Sequence, residues 1–390
     1  MPQHLESAAL RTVPGDPGQA RRALAWFGAE FLRRSRANAA NTVISPYSLY
    51  TVLAMARAGA KNQTAAQLDA ALRLDGPAQG SAITAIDAGI STALDSAKQM
   101  QSEITISAAN EIWVQDGLSV QQEYLDQLAR EFGVSAVAAD FERDPEGIRS
   151  AINSWVSDRT NELIPELFPR GAITQDSRVV LVNALYLKAS WARPFFPSTP
   201  GTFSLLDGST VQTPMMTAPG QVRGATADGW SAVTVSYSGK GLNMTLLVPE
   251  LGFFETVVAT LDANLIEAAS ATDQQFELTM PPFKITSAPD AKQAVAQLGV
   301  VDLFSDGVAD LTDIAGAPGS LFVGSFVHQA TISVDEYGTE AAAATGMGMM
   351  ASGAPAPAPE LVIDRPFLFW ISENSTGAPL FLGAVTNPAG

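Results

Sequence analysis

The sequence of 390 residues contains no cysteine and only two histidines, His4 and His328. Without cysteine no disulfide can form, so redox chemistry does not indicate the compartment. The chain also lacks the G-x-S-x-G, H-E-x-x-H and G-x-x-x-x-G-K motifs, and no pair of carboxylates stands out. His328 begins a strand-like run with no nucleophile motif nearby. We therefore predict that the protein is not an enzyme and holds no metal or cofactor.

Basic residues are scarce, since 23 Lys and Arg stand against 40 Asp and Glu, for a formal net charge of −17 at pH 7. This balance argues against nucleic acid as a partner and against a basic heparin-binding surface. No stretch approaches the roughly 20 consecutive apolar residues of a membrane span, so we predict no membrane partner. The N-terminus also lacks the basic start and apolar run of a signal peptide. These features leave the compartment open, and the cytoplasm remains one of the alternatives.

No linker divides the chain, and hydrophobic residues make up 46% of it, which is ample for a substantial core. The Ala- and Pro-rich stretch 354–359 lies near the C-terminus, and apolar strand patterns follow it. We therefore predict a single domain over residues 17–390, preceded by a disordered tail over residues 1–16. We expect this domain to be a monomer.

Helical patterns dominate the first half of the chain and strand patterns the second. Leu24, Phe27 and Phe31 share one face of a predicted helix over residues 17–38. Ser45 and Pro46 are a favourable N-cap and first residue for the next helix. Further helices are predicted within 61–100 and over 145–163, and strands over 104–114, 179–187, 232–236 and 244–248. This order of elements is typical of an α+β fold.

One segment near the C-terminus is almost free of large side chains. Residues 338–345 read Gly-Thr-Glu-Ala-Ala-Ala-Ala-Thr and follow a strand-like run over 328–336. Four alanines favour a helix, but Gly338 and the preceding strand pattern favour extended backbone. Such a segment anchors a core poorly, and it suits a loop that slides between two close-packed strands. Inserted as a strand, it would carry Thr339 on one face and Glu340 on the other.

Five sequence blocks resemble those of one protein family, and they occur in the family's order. Asn41-Thr-Val-Ile-Ser-Pro-Tyr-Ser48 resembles an N-x-x-x-S-P-x-S block, and residues 181–191 resemble V-N-A-x-Y-F-K-x-x-W. Residues 298–312 resemble L-G-x-x-x-x-F…A-D-L-S, and residues 365–369 and 377–388 resemble the C-terminal strands. Together with the small-residue segment, these blocks make the chain similar to the serpins, a family of serine protease inhibitors.

The resemblance implies both a fold and a function. The fold is α+β, with about nine helices around three mainly antiparallel sheets and an exposed reactive-centre loop over residues 338–359. The function is inhibition of serine proteases. In it, the cleaved loop inserts into the main sheet of a metastable fold while the protease stays attached as a covalent acyl complex. The alternative is a non-inhibitory member that acts as a binding or chaperone protein. By analogy with the family, the location would be extracellular.

The resemblance also implies three clusters of functional residues. The hinge of the loop comprises Glu336, Gly338, Thr339, Glu340, Ala341, Ala342, Ala343 and Ala344. The shutter, a polar cluster beneath the main sheet, comprises Ser45, Ser48, Asn183 and His328. The breach, where the loop enters the sheet, comprises Trp191 and Glu336. Many serpins pair this glutamate with a basic residue, but this chain has Pro282 there and Lys284 two positions on. The partner of Glu336 therefore stays open.

Counting from Gly338 by the family's spacing gives a scissile bond between Ser352 and Gly353. The loop is longer than usual, so Met349, Met350 and Ala351 stay as alternatives. None of these residues is Arg or Lys, which argues against a trypsin-like target whose acidic pocket needs a basic partner. Small or unbranched apolar residues suit elastase-, chymotrypsin- or subtilisin-like pockets.

Overall fold

The computed structural model of the protein describes residues 2–36, 41–340 and 358–390. These residues contain nine α-helices: α1 (Pro17–Ser35), α2 (Pro46–Ala58), α3 (Asn62–Leu72), α4 (Gly76–Gln99), α5 (Gln122–Gln127), α6 (Pro145–Arg159), α7 (Phe254–Thr260), α8 (Ala263–Ala269) and α9 (Ala291–Gln297).

The strands of the described residues are β1 (Gln3–Leu5), β2 (Thr42–Ile44), β3 (Ile104–Gln115), β4 (Ala136–Ala139), β5 (Val179–Ser190), β6 (Phe196–Ser204), β7 (Thr210–Ala227), β8 (Trp230–Ser236), β9 (Leu242–Pro249), β10 (Gln274–Met280), β11 (Phe283–Ser287), β12 (Val323–His328), β13 (Ala330–Val334), β14 (Gly338–Thr339), β15 (Glu360–Val362), β16 (Phe367–Glu373) and β17 (Pro379–Val385). The predicted α+β class is confirmed.

The helix starts follow the capping residues that the sequence contains. Asp16 caps α1 by accepting a hydrogen bond from the Gly18 N–H, and a proline occupies the first turn. Ser45 caps α2 in the same way, because its side chain accepts from the Ser48 N–H, and Pro46 follows it as predicted. Residues 46–56 of α2 are all buried, so this helix lies inside the core.

The main sheet contains eight strands in the order β1–β4–β3–β5–β14–β13–β11, with β12 paired to β5. β3 and β5 form its centre and pair antiparallel from Ile104 opposite Ala189 to Val114 opposite Val179. β12 pairs in parallel with only the N-terminal half of β5. The C-terminal half of β5 therefore has a different neighbour on this side.

The second sheet joins nine strands, in the order β15–β10–β7–β8–β9–β16–β17–β2 with β6 paired to β7. Hydrogen bonding thus gives two sheets where the resemblance implied three. The reason is β7, a continuous strand of 18 residues that pairs over 210–217 with β6, over 216–224 with β10 and over 223–227 with β8. One unbroken strand connects what would otherwise be two separate sheets.

The N-terminal segment packs onto the domain, which differs from the disordered tail predicted over residues 1–16. β1 pairs antiparallel with β4. Further along, the Thr12 N–H donates to the Arg130 carbonyl at 2.9 Å, and Arg11 forms an ion pair with Asp87. β4 is a short strand that would otherwise leave edge N–H and C=O groups unpaired, and β1 satisfies them.

Buried apolar side chains cover both faces of the main sheet. One cluster joins α1 and α2 to the second sheet and to Leu181 and Leu185 of β5, and the other joins α6 to Val180 and Val182. Alternate residues of β5 therefore face opposite clusters, which explains why this strand is a continuous apolar run. None of the helices in the described ranges combines the length and apolar character needed to cross a membrane.

Candidate functional site

The first residues of the predicted hinge already form a strand inside the main sheet. In β14, Gly338 lies opposite Ser190 and Thr339 opposite Ala189 of β5, while Thr339 also pairs with Val334 of β13. A Cβ on Gly338 would stand 2.2 Å from the Ala189 carbonyl oxygen, and its φ of +155° is one that side chains rarely adopt. Glycine is therefore required where the loop enters the sheet.

The burial of Thr339 corrects the expectation that the reactive-centre loop is exposed from residue 338 onward. Thr339 is only 1% exposed, and its hydroxyl lies 2.6 Å from the hydroxyl of Tyr237. The small side chains of Gly338 and Thr339 fit between two close-packed strands, and the strand ladder satisfies their backbone groups. The start of the loop is therefore part of the core.

Glu340 marks the point where the chain leaves the ladder. Its φ is +52°, in the left-handed region, and its N–H donates to the Ser333 carbonyl at 2.9 Å. Its side chain is half-buried, and burial raises the pKa of this carboxyl although Tyr186 and two lysines act in the opposite direction. Outside the described residues lie the rest of the hinge, Ala341, Ala342, Ala343 and Ala344, and the candidate scissile residues, Met349, Met350, Ala351, Ser352 and Gly353.

A stretch of β5 lies unpaired below the inserted residues. Pairing between β12 and β5 ends where His328 lies opposite Asn183, and pairing between β14 and β5 covers only Ala189 and Ser190. Among the described strands, none pairs with residues 184–188 of β5 on the side away from β3. We call this stretch the insertion gap, because a strand extending β14 would occupy it.

The breach residues hold the upper end of β5 and the approach to the hinge. The Trp191 ring stacks on Tyr237 with centroids 4.4 Å apart, and its indole N–H donates to the Asp335 carbonyl at 2.9 Å. Glu336 lies at the same end, where its carboxylate accepts from the N–H of Ser198 at 3.1 Å and from the Ser198 hydroxyl. Trp191 and Glu336 thus both fix the turn that leads into β14.

Ser198 is the hydrogen-bond partner of Glu336. Burial acts to raise the pKa of Glu336, but hydrogen bonds from Ser198 and from the backbone of Glu336 itself outweigh it and hold the pKa below its usual value. Lys284 lies on β11 opposite Ser333, and its charge acts on Glu340 instead. In the part of the chain that the structure describes, two hydrogen bonds from a serine therefore stand where many serpins have a salt bridge.

The shutter residues form a buried chain of hydrogen bonds under the centre of the main sheet. The Ser45 N–H donates to Nε2 of His328 at 3.1 Å, so that nitrogen must be unprotonated. Nδ1 of His328 then carries the proton and donates to Oδ1 of Asn183 at 2.6 Å. The Asn183 amide in turn donates to Oδ1 of Asn110 at 3.0 Å. This chain ties β12, β5 and β3 to the start of α2.

Burial keeps His328 neutral. Desolvation lowers the pKa of this fully buried imidazole to about 3, so the tautomer that accepts from Ser45 persists at neutral pH. Ser48 belongs to the same region but does not extend the chain. Its N–H donates to the Ser45 hydroxyl at 3.1 Å, and its own buried hydroxyl has no hydrogen-bond partner among the described residues.

Comparisons with known proteins agree with this geometry. A sequence model of the family described as Serpin (serine protease inhibitor) matches residues 22–388. The chain belongs to the serpin family. A serine protease inhibitor of Cyanea capillata is 34% identical over 359 residues, which cover 90% of this chain and 93% of that protein. The leukocyte elastase inhibitor of Bos taurus is 30% identical over 366 residues, covering 90% of this chain and 94% of that protein.

A solved structure confirms the serpin fold. The crystal structure of Tengpin, a thermophilic serpin in the native state, matches with a TM-score of 0.84 and covers 98% of this chain and 97% of that chain. The two sequences are 23% identical, so this likeness concerns the fold alone. Within the described residues of this serpin, no group of three or more His, Cys, Asp or Glu side chains could hold a metal ion.

Three residues of this serpin's site were missed in the sequence. Asn110 is a buried polar residue in an apolar strand, and that contrast was the one signal that could have identified it. The hydroxyl of Tyr237 is hydrogen-bonded to the hydroxyl of Thr339, and the Ser198 N–H donates to the carboxylate of Glu336. Neither lies in a recognisable pattern, because each contacts a residue more than one hundred positions away.

Proposed function

We propose that this serpin inhibits serine proteases by suicide-substrate trapping. The observation that carries the proposal is the position of β14, which already lies between β5 and β13 above the insertion gap. The chain continues from Glu340 with Ala341, Ala342, Ala343 and Ala344, whose small side chains suit further insertion. The Cyanea capillata relative, which is named a serine protease inhibitor, gives independent support.

The chemistry begins with an ordinary proteolytic attack. The protease serine attacks the carbonyl of the residue before the scissile bond, the peptide C–N bond breaks, and the new amine leaves with the C-terminal fragment. The inhibitor stays bound to the protease as an ester through the carbonyl of Ser352. The freed hinge then extends β14 through the insertion gap, separates β12 from β5 below that gap, and carries the protease along. Residues 339–352 would form a strand of about 45 Å at ~3.3 Å per residue.

Inhibition therefore depends on the relative rates of two steps, insertion of the loop and hydrolysis of the ester. Thr339 faces the core, so alternation places Ala341, Ala343 and Thr345 on the same face. None of these side chains is bulky or charged, which favours fast insertion between close-packed neighbours. Glu340, the first charge along the loop, falls on the opposite face.

The target class follows from the residue before the scissile bond. We propose Ser352 for that position and Gly353 after the bond, with Met349, Met350 and Ala351 as alternatives. Because none of them is basic, the target is an elastase-, chymotrypsin- or subtilisin-like enzyme rather than a trypsin-like one. The likeness to the bovine leukocyte elastase inhibitor favours the first of these.

Thermal melting before and after loop cleavage tests this proposal. A trace of thermolysin, a metalloprotease that forms no acyl-enzyme and so is not trapped, cleaves the loop, and mass spectrometry confirms a single cut. If the loop inserts, the stored strain is released and we expect the melting temperature to rise by about 10 °C or more. A non-inhibitory binding or chaperone serpin would melt at the same temperature before and after cleavage, and that outcome would remove the trapping mechanism.

A further inference from the structure

A cavity of about 560 Å³ lies beside the breach, outside the path of the loop. Its walls are formed by residues 192, 193 and 195, by residues 218–223 at the bend of β7, and by residues 234–236 of β8. The Ala192 N–H donates to the Ser236 carbonyl at 2.9 Å, which joins two of these walls. Its volume is within the range of about 300–1,000 Å³ that small-molecule sites occupy.

One side of this breach-side cavity is apolar. Phe195, Ala218 and Val235 line it and are buried, and Val222 is half-buried beside them. The Phe195 ring also packs against Trp191 with centroids 5.8 Å apart, so the breach holds this side in place. A flat aromatic or aliphatic group would find a rigid apolar surface here.

The other side of the breach-side cavity is positively charged. Arg193 and Arg223 both line it, and neither forms an ion pair with any residue that the structure describes. None of the described residues that line the cavity is acidic. Residues 37–40 and 341–357, which lie outside the described residues, contain no Asp or Glu either. In a chain of net charge −17, two unpaired guanidinium groups at one cavity are a local exception.

The position of Arg193 fits a binding role. Its Nη1 lies 3.8 Å from the point that a Cβ on Gly220 would occupy, so the guanidinium lies over the β7 bend. Asn243 lines the same cavity, and its buried Oδ1 has no hydrogen-bond partner in the described part of the chain. A carboxylate has no donor for this acceptor, so the arginines and not Asn243 would recognise an anion in the cavity.

We propose that the breach-side cavity binds a small organic anion in which a carboxylate is joined to an aromatic ring. The ring lies on Phe195 and Val235, and the carboxylate accepts hydrogen bonds from Arg193 and Arg223. Guanidinium groups suit this role because they pair with a carboxylate through parallel N–H donors. None of these residues lies in the hinge or the insertion gap, and the Phe195 N–H connects the cavity to the breach by donating to the Glu336 carbonyl at 2.8 Å.

Calorimetric titration of the full-length protein with 1-naphthoate tests the proposal, with the neutral 1-naphthamide as the matched ligand. We expect 1-naphthoate to bind at least about tenfold more tightly than 1-naphthamide, equivalent to ~1.4 kcal/mol. The double variant Arg193→Gln/Arg223→Gln should remove that preference. Arg170→Gln, which deletes an exposed arginine away from the cavity, should keep it.

Three outcomes would overturn the proposal: no binding of 1-naphthoate, equal affinity for the acid and the amide, or an unchanged preference in the double variant. Circular dichroism and the melting temperature of the double variant verify its fold. Both arginines are exposed, so we expect neither property to change.

Discussion

Replacing Thr339 with arginine should turn this serpin from an inhibitor into a substrate of its target protease. Thr339 is 1% exposed and its side chain lies against Tyr237, so an arginine in the same position within the sheet would be a buried, unpaired charge. In the uncleaved protein the two-residue strand β14 can leave the sheet and place the arginine in solvent, whereas the inserted strand must bury it, at a cost of several kcal/mol. An increase of ~1.4 kcal/mol in a barrier slows a step about tenfold, so the ester would be hydrolysed before the loop could insert.

The measurement for Thr339→Arg is the stoichiometry of inhibition, the moles of serpin consumed per mole of protease inactivated. We expect it to rise about tenfold or more. Thr339→Val is the matched control, because it keeps the shape of the side chain and removes only the hydroxyl bonded to Tyr237. The valine variant should remain an inhibitor. An unchanged stoichiometry for the arginine variant would show that inhibition does not require residue 339 to be buried in the sheet.

Replacing His328 with alanine should allow the intact loop to insert into the main sheet without cleavage. His328→Ala leaves the Ser45 N–H and the Asn183 Oδ1 without their buried partner, at about 1–3 kcal/mol for each unsatisfied group. The native form depends on this hydrogen-bond chain to hold β5 and β12 together. The intact loop would then insert to give a latent form, or insert into a neighbouring molecule to give a polymer.

We expect His328→Ala to lower the melting temperature of native protein and to speed conversion to latent or polymeric forms by about 5-fold or more. Native gels and size-exclusion chromatography follow the conversion. The cleaved form should lose much less stability, because its gap is already filled. His4→Ala, which removes the other histidine from the exposed strand β1, is the matched control. Equal losses in native and cleaved forms would make His328 an ordinary core residue.

Local signals in the sequence were enough for most elements of the fold. Ser45 and Pro46 begin α2 as predicted, because a cap depends on residues within one turn. The apolar run over 179–187 became β5 because a central strand is buried on both faces. The pairing of β1 with β4 and the continuity of β7 were not predicted, since both depend on contacts between distant segments.

The site shows the same division between local and long-range information. Asn183 and His328 were paired by resemblance, and the structure joins them at 2.6 Å. Asn110 was missed, although it extends the same hydrogen-bond chain from 73 positions away. The burial of Thr339 was also not predicted from the sequence, because its contact Tyr237 lies 102 positions before it. Residue type predicts which side chains can join a buried polar cluster, whereas the sheet register decides which ones do.

The most direct test of suicide-substrate trapping is incubation of the protein with elastase, chymotrypsin and subtilisin, with trypsin for comparison, followed by denaturing electrophoresis. We predict an SDS-resistant complex with at least one of the first three enzymes and a released C-terminal peptide that begins at Gly353. A peptide beginning at Met350, Ala351 or Ser352 would shift the scissile bond and keep the mechanism. If every enzyme cleaves the loop, forms no complex and remains active, the protein is not an inhibitor of this kind.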